Sequence, residues 1–169
     1  DEVSRLVNLL KRWGIPASDK IEYDLPIPEE IKKSASKIIE ENKGSYLPTT
    51  IDCHNAGTTL RFITALLAIT PGKWLITGSD RMKARPIGIL VESLKKLGAN
   101  IEYQEKYGFP PLLIEGKKLT GGELEIDGSV SSQFITALLL IAPIIADGLC
   151  LKLKNKVGSL PYIEMTLRL

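Results

Sequence analysis

Four short stretches of this chain carry residues suited to holding an anion. They are His54-Asn55-Ala56-Gly57-Thr58-Thr59-Leu60-Arg61, Gly78-Ser79-Asp80-Arg81-Met82-Lys83-Ala84-Arg85, Asp127-Gly128-Ser129-Val130-Ser131-Ser132-Gln133 and Asn155-Lys156-Val157-Gly158-Ser159. All contain small or hydroxyl residues, most add cations or amides, and each leads into a run with helical apolar spacing. The first turn of a helix has unpaired N–H groups and the positive end of the macrodipole, so it attracts anions. Gly57 has no Cβ, so a ligand could approach its backbone closely. Ser131 and Ser132 offer adjacent hydroxyls that can donate to phosphate oxygens. Ser, Thr and Asn are also ordinary N-caps, so one such loop alone would need no ligand. Four in equivalent places favour a shared anion site.

Arg81, Lys83 and Arg85 place three cations before a helix start, where the dipole opposes them unless an anion is present. Arg suits bidentate contact with a carboxylate or phosphate, and truncating such a contact in a desolvated site costs about 2–5 kcal/mol. Cys53-His54 looks like a nucleophile–base pair, but neighbours on a strand point to opposite faces. One His and two distant Cys give no metal-ligand spacing, so no metal is expected. Neither G-x-x-x-x-G-K-[ST] nor G-x-G-x-x-G occurs, which excludes the usual nucleotide loops.

The elements that must position these loops are repeated. FITALL stands at Phe62–Leu67 and again at Phe134–Leu139. LKRWG at Leu10–Gly14 is echoed by LKKLG at Leu94–Gly98, and IEY follows each, at Ile21–Tyr23 and Ile101–Tyr103. Three blocks in one order point to a duplicated supersecondary unit. Its helices are read from Val3, Leu6, Val7, Leu10 and Trp13, and from Pro86 as first helical residue through Ile87, Leu90, Val91, Leu94 and Leu97 to Gly98. Strands are read at Ile51–Cys53, Trp74–Thr77, Leu124–Ile126 and Leu149–Leu153, with a hairpin turning at Tyr107-Gly108-Phe109-Pro110 into Leu112–Ile114. The order is a cyclic permutation of β-α-β-α-β-β. A charged segment over 28–44 has one apolar stripe, Ile31, Ala35, Ile38 and Ile39, and reads as a surface helix. The units are expected near 1–77 and 78–153, with a third starting over 154–169. The chain starts at Asp1 without Met and stops at Leu169 inside a helical pattern, so it is expected to be an excerpt of one domain, incomplete at both ends.

With 169 residues, 44% hydrophobic and 25% charged, the chain is an ordinary globular domain able to bury about two thirds of its unfolded surface. A net charge of +2 gives no bulk attraction to nucleic acid or an anionic membrane. Aromatics are 6% and not interleaved with basic residues, which argues against single-strand binding. The longest apolar stretch, Phe134 to Ala146, is broken by Thr136 and Pro143 and is too short for a membrane span. Cys53 and Cys150 are expected as reduced, partly buried thiols in a cytoplasmic protein.

Asn55-Ala56-Gly57-Thr58-Thr59-Leu60-Arg61, Arg81-Met82-Lys83-Ala84-Arg85-Pro86, Gly128-Ser129-Val130-Ser131-Ser132-Gln133-Phe134 and Ser159-Leu160-Pro161-Tyr162-Ile163 stand in order. Together they closely resemble the 5-enolpyruvylshikimate-3-phosphate synthase (3-phosphoshikimate 1-carboxyvinyltransferase) family, over the whole chain. The resemblance implies transfer of the enolpyruvyl group of phosphoenolpyruvate to the 5-hydroxyl of shikimate 3-phosphate, with release of phosphate and no cofactor. It implies an α/β fold of two domains, each of three βαβαββ units in a pseudo-threefold arrangement with helices packed inward, closing on substrates held in the cleft. Ser131, Ser132, Ser159 and Tyr162 would hold shikimate 3-phosphate, Gly57 and Arg81 phosphoenolpyruvate, and Gln133 both. Asn55, Thr58 and Arg61 would support the site.

Many family members have Pro where this chain has Phe62, which bears on how an inhibitor such as glyphosate would fit. The family's Lys-Ser…Arg motif would precede Asp1, and the second domain's acidic and basic catalytic residues would lie mostly after Leu169. The chain alone is therefore expected to be monomeric, to bind substrate weakly and not to turn over, with the second domain of the same protein as its partner. The related UDP-N-acetylglucosamine enolpyruvyl transferases usually carry a loop Cys, whereas Cys53 and Cys150 fall in predicted strands. A noncatalytic anion-binding regulatory domain is a further alternative. RNA 3′-phosphate cyclase shares a similar unit, but the near-neutral charge does not favour an RNA surface.

Overall fold

Burial alternates along the apolar run of Gly72–Thr77 (β2), a strand with Trp74 and Ile76 buried on one face. Its neighbours are Thr49–Asp52 (β1), Asn100–Tyr103 (β3) and Leu112–Gly116 (β4). The computed structural model describes residues 29–42 and 47–168. The sheet order is β1-β2-β4-β3, with β1 parallel to β2 and the other pairings antiparallel. Register places Thr49 opposite Trp74, Ile76 opposite Leu112, and Ile101 opposite Ile114. One face is thereby an unbroken apolar surface of Trp74, Ile76, Ile101, Leu112 and Ile114, none more than 2% exposed.

Helices cover that face. Glu29–Asn42 (α1) comes first in the described chain, and Ile38 on it is exposed. Gly57–Ile69 (α2) packs on β2 and β4, and Gly88–Lys96 (α4) packs on β3, with the short Asp80–Lys83 (α3) between them. Their buried positions, such as Leu60, Thr64 and Ala68, or Leu90 and Leu94, recur at the helical period. Then Thr120–Asp127 (β5), Ser132–Ile141 (α5), a 3-10 turn Ala142–Ile144, Ala146–Lys154 (β6) and Leu160–Leu167 (α6) follow. The strands β5 and β6 form a separate parallel pair, bridged by Lys152–Glu123 and Lys154–Glu125. The helix α5 packs against α2, α4 and α6. Ala65 and Ala137, at the same place in the two FITALL copies, are both completely buried.

The β-α-β-α-β-β order runs from Thr49 to Gly116, if α3 and α4 count as one helical segment, and restarts at Thr120. Hydrogen bonding thus groups 49–116, whereas a unit over 78–153 joins strands from both sheets. The expected helix start at Pro86 needs correction. The helix begins at Gly88 with Ile87 as N-cap, because the Ile87 and Gly88 amides are tied to the Gly108 carbonyl of the hairpin turn at 2.9 and 3.1 Å. That hairpin is held again by Tyr103 and Tyr107, whose hydroxyls both donate to Glu92 Oε1 at 3.3 Å. Arg81 and Lys83 lie in a helical turn rather than a loop. The expected helix over Val3–Trp13 and the first IEY strand lie outside the described residues. The thiols also differ from expectation, since Cys53 is buried and Cys150 is exposed.

Gly116 sits where a Cβ would overlap the Thr70 and Leu67 carbonyl oxygens. The Thr70 carbonyl cannot easily yield, because it accepts the Trp74 indole N–H at 3.0 Å. Gly116→Ala is expected to destabilise the fold by about 3 kcal/mol, the upper end of ordinary overpacking. Urea unfolding checks this, and a loss below about 1 kcal/mol would mean the sheet can slide off the helix.

Candidate anion-binding site

Both parallel strand–helix connections begin with the same device. Asp52 Oδ1 accepts the His54 amide at 2.8 Å, and Asp127 Oδ1 accepts the Ser129 amide at 2.8 Å. A short acidic side chain at the strand end folds the backbone back on itself. The two helix starts then diverge in chemistry. Ser131 caps α5, its Oγ accepting the Gln133 amide at 3.4 Å. The N-cap of α2 is Ala56, and no side chain caps that helix.

The second cationic stretch is fixed from three sides. Ser79 Oγ accepts the Met82 amide at 3.3 Å and donates to Asn55 Oδ1. Met82 is buried, and Lys83 Nζ donates to Glu105 Oε1 at 2.7 Å. That hydrogen bond raises the Lys83 pKa, so Lys83 is a staple to the hairpin rather than a free cation, which corrects its place in the expected anion-binding run. Arg81 and Arg85 remain exposed and, with Asn55 and Met82, line a pocket of about 460 Å³.

Arg61 and Gln133 each immediately precede a FITALL segment, and each reaches toward the opposite helix. Gln133 Nε2 donates to Thr58 Oγ1 at 2.8 Å, while the Arg61 guanidinium lies 5.2 Å from the centre of the Phe134 ring. Arg61 is 6% exposed, and its Nη1 donates to the Gly57 carbonyl at 2.9 Å. Its Nε is buried with no partner. Burial, and then the neighbouring Arg85, lower its pKa.

A second pocket, of about 560 Å³, opens between α2, α5 and α6. Thr58, Ser131, Ser132, Gln133 and Tyr162 line its polar side, and Phe62, Leu140 and Met165 its apolar side. The fourth expected stretch joins through Gly158, whose amide donates to the Gly128 carbonyl at 2.8 Å, and through Asn155 Nδ2, which donates to Asp127 Oδ2 at 3.1 Å. Ser159 is the N-cap of α6 with φ of 54°, its hydroxyl makes no capping bond, and it lines neither pocket.

Contacts thus link all four stretches into one belt: Asn55 to Ser79, Thr58 to Gln133, and Gly128 to Gly158. The space beside Gly57 is filled differently from expectation. A Cβ there would overlap Arg85 Nη1 and stand 2.8 Å from Arg61 Nη1, so the protein's own guanidiniums occupy that approach. In sequence Arg85 stands in a charge run and Phe134 opens a FITALL copy, and neither is singled out there as a site residue. Among the described residues, no three His, Cys, Asp or Glu side chains come together to hold a metal ion. The described residues lining the two pockets include no carboxylate, His or Lys. Their chemistry is anion binding by guanidiniums, hydroxyls and helix starts. Among the described residues no helix is long and apolar enough to cross a membrane.

Fold and site together define a repeated α/β unit that gathers helix starts around a guanidinium-lined and a hydroxyl-lined pocket. Residues 2–169 match the EPSP synthase (3-phosphoshikimate 1-carboxyvinyltransferase) family, and the chain belongs to that family. It is 43% identical to a 3-phosphoshikimate 1-carboxyvinyltransferase of Bacteroides fragilis over 91% of its own length, and 45% identical to one of Tolumonas auensis over 100%. It spans 42% and 38% of those two relatives, about two fifths of their length. Among solved structures, EPSP synthase from Acinetobacter baumannii superposes on 69% of this chain and 26% of its own, with a TM-score of 0.57 at 23% identity, a likeness of fold.

The Ser129 and Asn155 hydrogen bonds hold the Asp127 carboxyl below its ordinary pKa of 3.8. A depressed carboxylate stabilises the fold above its unfolded pKa and loses that contribution as pH falls through the folded one. The Ser129 amide resonance is therefore expected to titrate with a midpoint below 3.8, followed by NMR. A midpoint at or above that value would mean the turn is not held by this carboxylate.

Proposed function

We propose that this chain forms part of an enzyme that transfers the enolpyruvyl group of phosphoenolpyruvate to the 5-hydroxyl of shikimate 3-phosphate. The 5-hydroxyl loses its proton as its oxygen adds to C2 of phosphoenolpyruvate and a proton adds to C3, giving a charged tetrahedral intermediate; a C3 proton then leaves as the C2–O bond to phosphate breaks, which restores the double bond and releases phosphate. Such a reaction gains most from holding two polyanions together and stabilising charge in a closed site. The observation that carries this reading is the Thr58–Gln133 hydrogen bond, which brings the hydroxyl-lined pocket up to the helix start beside the guanidiniums.

In this reading Ser131, Ser132, Ser159 and Tyr162 hold shikimate 3-phosphate, and Gly57 and Arg81 the phosphoenolpyruvate side. Gln133 reaches both, and Asn55, Thr58 and Arg61 act as supports. Asn55 anchors the Arg81 turn through Ser79, and Thr58 fixes the Gln133 amide. The site is part of a cytoplasmic protein whose domain completes a pseudo-threefold set of βαβαββ units with helices inward. The groups that move protons belong to the part of the protein that the relatives have beyond this match.

Calorimetric titration with shikimate 3-phosphate tests the site. Replacing both Ser131 and Ser132 by Ala is expected to weaken binding by about two orders of magnitude or more, since each hydrogen bond to a charged group contributes about 1.5–3 kcal/mol. Unchanged affinity would remove the assignment. The 169-residue chain supplied with both substrates is expected to release no phosphate above background. Measurable release would mean that proton-transfer groups lie within it.

A further inference from the structure

Gly57 opens a helix whose first turn no side chain caps, and its missing Cβ leaves a notch. Two guanidiniums fill it. A Cβ at this position would overlap Arg85 Nη1, stand 2.9 Å from Arg85 Cζ and 2.8 Å from Arg61 Nη1. The two arginines differ in freedom. Arg61 is 6% exposed, bonded to the Gly57 carbonyl and stacked on Phe134, with its Nε unpartnered. Arg85 is exposed and, among the described residues, has no acidic partner. Two like charges at the positive pole of a helix repel each other and the pole, and an anion relieves all three terms. Arg85 also lines the pocket that holds Arg81.

On the reading that this pocket takes a phosphate-bearing substrate, we propose that Arg85 is a second guanidinium contact for that phosphate, and that Gly57, besides its own place on the phosphoenolpyruvate side, seats Arg85. A side chain at 57 then weakens anion binding by unseating Arg85 in addition to crowding the ligand. The consequence is energetic coupling between two positions that sequence places far apart.

A double-mutant cycle on the full 169-residue chain tests this, with inorganic phosphate and phosphoenolpyruvate as probes and affinity read by NMR titration. Arg85→Ala and Gly57→Ala are each expected to weaken binding about tenfold, the scale of one charge-assisted contact. The double variant is expected to lose clearly less than the product of the two single losses, because the seating part of the Gly57 effect is already gone. Multiplying losses would overturn the coupling. Arg85→Lys, which keeps the charge, is expected to stay within about threefold of the parent, while Arg85→Gln loses about tenfold. Equal losses for Lys and Gln would overturn the contact. Should Gly57→Ala not fold, this exposed pair still decides the Arg85 contact. Arg81→Ala separates the two readings. If it weakens phosphate binding and Arg85→Ala does not, the inference fails and the pocket stands. If neither matters, both fail.

Discussion

Two helices start side by side with their positive poles together, and the site depends on that arrangement. A full charge at an exposed helix pole is worth about 0.3–1 kcal/mol, and two poles of about half a charge repel by less than that. Opposing this is the packing of the two helices on each other and on the core, where Leu60, Ala65, Ala68, Ile135, Ala137 and Leu138 lose almost all their exposure. Each large apolar side chain among them contributes about 1.5–3 kcal/mol on burial, so packing decides the geometry. The residual repulsion makes the shared end receptive to anions. The Thr58–Gln133 bond fixes the two first turns in register.

Arg61 shows what this closeness costs. A desolvated guanidinium with one unpartnered nitrogen is unfavourable unless other contacts offset it. Its bond to the Gly57 carbonyl and its place over Phe134 join the start of one helix to the other. Neither contact neutralises the charge, so Arg61 adds a fixed positive field to the pole. Lys83, by contrast, is consumed by Glu105. A surface pair of this kind adds little stability, but it holds the turn that presents Arg81 and Arg85.

Duplication gives the site its division of labour. Both copies use a strand-end Asp to fold the turn, and both place an amide or guanidinium just before FITALL. The copies then differ where the ligand would sit. One start has Ala56 and Gly57, which leave room for guanidiniums, and the other has Ser131 and Ser132, which supply hydroxyls. One scaffold thus presents a cationic and a hydroxyl-lined anion site next to each other.

The sequence alone determined what is local or repeated. The FITALL helices, the hairpin after Tyr103 and the strands around Trp74 and Leu124 follow from spacing that neighbours in the chain enforce. The anion chemistry of the four stretches was legible for the same reason, since residue type and helix polarity are local properties. Tertiary structure decided what depends on distance through space. The hairpin carbonyl of Gly108 moved the helix start past Pro86, and Glu105 took Lys83 out of the cationic set. The notch at Gly57 went to Arg85, and Gln133 found Thr58 on another helix. Such pairings are set by how helices pack on a sheet, which no window along the chain contains.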